Sequence, residues 1–80
     1  MLIDYRIFLK RIRDIEVKVA LCKNNFHWKI LAEKFQATHE DIEKFYQESE
    51  IPADIAETIA HVRTLLVDKK AELPPEDLIV

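Results

Sequence analysis

Residues 5–26 read YRIFLKRIRDIEVKVALCKNNF, and their periodicity decides the fold class. Tyr5, Phe8, Ile12, Ile15, Val19, Cys22 and Phe26 recur at alternating steps of three and four. Such a repeat returns to one side of an α-helix every two turns, so it predicts a single apolar seam on a helix of about eight turns. Leu2, Leu9, Leu21 and Trp28 widen that seam at its flanks, which suits a helical bundle better than a strict two-stranded coil. Arg6, Lys10, Arg13 and Lys23 fall on other faces. The pattern loosens at Ile30-Leu31-Ala32, so a turn is expected near Leu31–Lys34.

The rest of the chain extends the helical reading. Phe35, Ile42, Phe45 and Tyr46 give a second segment, over about 35–49, its buried face, and His39 lies nearly on that face. Pro52 favours extended geometry in the residue before it and is tolerated in a first helical turn. Ile51-Pro52-Ala53-Asp54 therefore predicts a helix start with an acid in its first turn. Ile55, Ile59, Val62 and Leu66 then form a stripe to about Lys70, and Lys69 and Lys70 suit the negative end of the helix dipole. Pro74-Pro75 ends helical structure. One helical domain over 1–72 and a C-terminal tail over 73–80, ending in the apolar Leu78-Ile79-Val80, are expected.

Composition closes off other architectures. The chain has 80 residues and no glycine. Tight hairpin turns normally use glycine, so hairpin-rich architectures are nearly excluded, and dinucleotide-binding and phosphate-loop folds, whose loops need it, are excluded. No apolar run is long enough for a membrane helix or a secretory signal. A lone cysteine, Cys22, excludes an internal disulfide and points to a reducing, cytoplasmic setting. Apolar residues are 49% and charged residues 34%, a composition that folds but leaves a small core in need of support. The formal charge is −3, divided unevenly. Residues 1–34 hold eight Lys or Arg against four acids, and residues 35–80 hold four against eleven. The reading favoured is a basic helix packed beside acidic ones. Nucleic-acid binding through the basic helix is disfavoured, because the total charge is negative and no aromatic platform or arginine cluster accompanies it.

Two helical pairings point toward metal chemistry. His39 and Glu43 are four apart, and Asp54, Glu57 and His61 are three and seven apart, so each set shares one side of a helix. Nitrogen and carboxylate ligands on helices hold iron or manganese in bundle proteins. Taken singly, each pairing reads first as a solvated acid beside a half-buried histidine.

In combination, the stretch Asn25-Phe26-His27-Trp28, then Phe35, His39, Glu43 and Tyr46, then Asp54-Ile55-Ala56-Glu57, resembles the Dps-like mini-ferritin branch of the ferritin superfamily. The resemblance covers about residues 8–60. It implies a ferritin-like half-bundle, a helical hairpin or three-helix unit completed by oligomerisation or by a partner. It also implies an iron site shared between subunits, with His27, His39 and Glu43 from one and Asp54 and Glu57 from the other. Trp28 would lie beside that site and His61 just outside it. Ferrous iron would be bound and oxidised by oxygen or peroxide. The chain departs from the family in length, in the three-residue spacing of Asp54 and Glu57, and in Pro52 within what should be a continuous helix.

The competing expectation is a non-enzymatic adaptor or inhibitor. It would dock its apolar seam, Tyr5, Phe8, Ile12, Ile15, Val19 and Phe26, on a larger protein. Residues 41–59 are also similar to small helical transcription coactivators of tailed phages. The partners expected are further copies of this chain or a larger protein, with no membrane involved.

Overall fold

Asn24 divides the predicted long helix in two. In the computed structural model, which describes residues 5–74, α1 spans Tyr5–Leu21, α2 Asn25–Phe45 and α3 Ala53–Glu72. A 3-10 turn over Glu48–Glu50 lies between α2 and α3. The described residues contain no strand, so the fold is all-α. The short connections make it an up-down-up arrangement of three helices.

The expected continuation of the first helix to Phe26 is corrected by local capping. Asn24 adopts extended geometry, with φ −146° and ψ 159°, and its side-chain oxygen accepts the His27 N–H at 2.8 Å. That bond satisfies one of the N–H groups a new helix leaves unpaired, so it favours a start at Asn25. The Cys22 N–H closes α1 on the Val19 carbonyl at 3.1 Å, and the Cys22 thiol donates to the Asn24 carbonyl at 3.3 Å. The turn expected near Leu31–Lys34 is absent, and α2 passes through it unbroken. Leu31 and Phe35 are both buried on its inner face, and their packing holds the helix through that point.

The core draws on all three helices. Phe8, Leu9, Ile12, Ile15 and Val19 of α1 meet Leu31, Phe35 and Ile42 of α2 and Ile55, Ile59, Val62 and Leu66 of α3. The α3 stripe is the one read from the sequence. Thr38 is buried among them, and its hydroxyl donates to the Lys34 carbonyl at 2.8 Å. At ~1.5–3 kcal/mol for each large apolar side chain withdrawn from water, this cluster supplies the main driving force for folding.

Three flanking expectations are revised. Tyr5 and Phe26, the ends of the predicted seam, are exposed. For Phe26 the cause is the break at residues 22–24, which resets the helical phase from Asn25 onward. Leu9 is buried but Leu21 is exposed, and Leu2 lies outside the described residues. Phe45 is exposed too, although its ring stands 5.5 Å from that of Phe8.

The Ile-Pro start of α3 is found where it was read, with Asp54 in the first turn. The helix ends on a Leu73 N–H bonded to the Lys69 carbonyl at 3.0 Å. Leu73 packs against the core, so the C-terminal segment is anchored at its first residue. The rest of the predicted tail, from residue 75, lies outside the described residues.

Candidate functional site

The five candidate ligands do not come together within one chain. His27 and His39 both stand on α2, twelve residues apart. At a rise of 1.5 Å per residue this is about 18 Å along the axis, too far for one ion. The shift of the helix boundary is the cause, since the resemblance places the two histidines on successive helices. His39 and Glu43 do meet, with Nε2 3.7 Å from Oε1. The His39 ring also packs at 6.4 Å from that of Phe35, over which the Arg63 guanidinium lies at 5.9 Å.

Asp54 and Glu57 are exposed in the first turns of α3. The Asp54 carboxylate accepts the Ile55 N–H at 3.0 Å, so it serves the helix start. His61 reaches across to α1, with its Nε2 3.5 Å from Glu16 Oε1. Among the described residues, no group of three or more His, Cys, Asp or Glu side chains is arranged to hold a metal ion. The described residues therefore do not fit an iron centre built from a single chain.

Trp28 has a different occupation from the one the resemblance implies. Its indole N–H donates to the Leu66 carbonyl of α3 at 2.8 Å, and the Lys70 ammonium sits 5.0 Å from its ring centre. Lys70 also donates to the buried Asn25 side-chain oxygen at 2.7 Å, while the Asn25 amide donates to the Pro74 carbonyl. Lys69 donates to the Ala20 carbonyl at 3.3 Å. These contacts tie the α1–α2 turn to the end of α3. No buried side-chain nitrogen or oxygen among the described residues lacks a partner. The polar cluster around Trp28 is thus satisfied internally and serves as a lock.

The predicted docking seam is likewise committed. Phe8, Ile12, Ile15 and Val19 are covered by α2 and α3 of the same chain. Apart from Tyr5 at the start of the seam, the large apolar groups that α1 leaves to solvent lie on its other side: Ile7 at 55%, Val17 at 59% and Leu21 at 69% exposed. With Lys10 and Asp14 they form a second stripe, again at steps of three and four, nearly opposite the buried one at about 100° per residue. Arg11 and Arg13 border it. Arg11 is held at 2.9 Å by Asp41 of α2, and Lys18 by Asp14 at the same distance.

Sequence reading missed this face because its centre is charged and a strong apolar seam shares the helix. The signal was the second period in the same residues. Among the described residues, no helix is long and apolar enough to cross a membrane. No protein-family model matches the chain, and no curated protein and no solved structure matches it either.

Proposed function

We propose that this chain is a non-enzymatic helical interaction module that docks on protein through the solvent face of α1. The observation that carries this reading is the alignment of Ile7, Val17 and Leu21 on one exposed stripe of a helix whose opposite side is committed to the core. Single exposed apolar residues need no explanation, but a row of them along about four turns of helix is a surface that association would cover. A photo-crosslinking amino acid at Val17, in the cells that make the protein, is expected to yield a discrete adduct. The same group at Thr64, exposed on α3, is the control. Equal labelling from the two positions would remove the reading.

A second reading, iron binding of the Dps-like kind, keeps one support in the His39–Glu43 pair. Two donors do not make a centre, so this reading needs the remaining ligands from another copy. Anaerobic titration with ferrous iron tests it. Saturable binding that disappears in His39→Ala supports a shared site. Binding unchanged by that substitution, or none on the folded protein, ends it.

A further inference from the structure

The order of residues along the exposed stripe names an occupant for it. From the N-terminal end it runs apolar, basic, acidic, apolar: Ile7, Lys10, Asp14, Val17. Ile7 and Val17 are equidistant from Ile12, and so are Lys10 and Asp14. A two-fold axis level with Ile12 therefore sets two antiparallel copies of α1 in a self-complementary register. Ile7 of each copy then meets Val17 of the other, and Lys10 meets Asp14. Each contact occurs twice.

We propose that the surface seated on this face is a second copy of the same chain, paired antiparallel through α1. The inference rests on the docking reading and specifies its partner. Charge selects both orientation and occupant. A parallel pair would stack Lys10 on its own counterpart and Asp14 on its own, two repulsive contacts at the centre of the seam. A uniformly acidic partner would meet Asp14 in the middle of the stripe. In the antiparallel register both charges are matched. Asp14 already pairs with Lys18 at 2.9 Å within its own chain, and a carboxylate has lone pairs enough to accept a second cation. One like-charge contact remains, at the edge, where Arg13 lies beside its own counterpart, whereas Arg11 is engaged by Asp41. The seam offers few apolar groups and falls short of the ~1,200 Å² that stable interfaces bury, so the pairing is weak and concentration-dependent.

Sedimentation equilibrium of the full chain, from micromolar to millimolar concentration, is the test. A monomer–dimer equilibrium is expected. Lys10→Asp and Asp14→Lys should each weaken it about tenfold, because each turns two attractive contacts into repulsive ones. The double exchange should restore most of the loss, and Arg13→Gln should tighten the pair. All three positions face solvent, and unchanged thermal unfolding would verify that each variant folds.

A dimer indifferent to both single exchanges, or one that the double exchange fails to restore, overturns the proposal. So does a chain that stays monomeric throughout. In that last case the Val17 crosslink still decides the broader docking reading. An adduct with a different protein preserves docking and discards self-pairing, and no adduct discards both.

Discussion

Asn24 shows how one side chain moves a helix boundary that neither glycine nor proline marks. Its oxygen takes the His27 N–H and begins α2 there, which carries His27 onto the same helix as His39. Asn24→Ala should lower stability by about 1 kcal/mol, the usual cost of a lost N-cap, as a reduced urea midpoint at unchanged slope. Asn24→Asp should retain most of the wild-type value. Trp28 acts in the same local way, through the Leu66 carbonyl. Trp28→Phe keeps an aromatic ring but loses the donor. A cost of about 1 kcal/mol in the same titration would match one net hydrogen bond. No loss would mean that the indole only fills space.

Among the elements, α2 is where periodicity alone misled. The apolar pattern loosens over residues 30–32, yet the helix continues, because Leu31 and Phe35 are buried one turn apart against α1 and α3. Ala32→Pro distinguishes the two descriptions. In an unbroken helix it removes a backbone hydrogen bond and clashes with the preceding turn, at about 3 kcal/mol. In a turn it would be nearly neutral. Far-ultraviolet circular dichroism with urea unfolding should report the large loss. The helix α1 carries two stripes of the same period: the inner is apolar throughout, and the outer is interrupted by Lys10 and Asp14.

For the molecule entire, α3 is the helix that completes the fold. The inner face of α1 is covered from two sides, by Leu31, Phe35 and Ile42 of α2 and by Ile55, Ile59, Val62 and Leu66 of α3. A chain of this size has a total stability of only about 4–12 kcal/mol. Ile12 is fully buried in the core that all three helices share. Ile12→Ala should therefore cost about 2–5 kcal/mol and bring the protein close to unfolding at ambient temperature, seen as a broad, low thermal transition. A sharp transition near the wild-type midpoint would show that the interior closes around the missing atoms.

Residue order alone dictated the all-α class, the inner face of α1, the Ile-Pro start of α3 and its four-residue stripe. Those features arise from period, from proline and from the absence of glycine, which act within a few residues. Packing between distant segments settled the rest. It spends the α1 seam inside the chain, locks α3 to the α1–α2 turn through Trp28, and leaves Ile7, Val17 and Leu21 in solvent. A local cap, Asn24 on the His27 N–H, sets His27 and His39 apart on one helix. The reason is physical. Residue type and spacing fix which side chains share a helix face, but which face is covered depends on partners far along the chain. A shift of a few residues in a helix boundary is enough to separate two ligands that a motif places together.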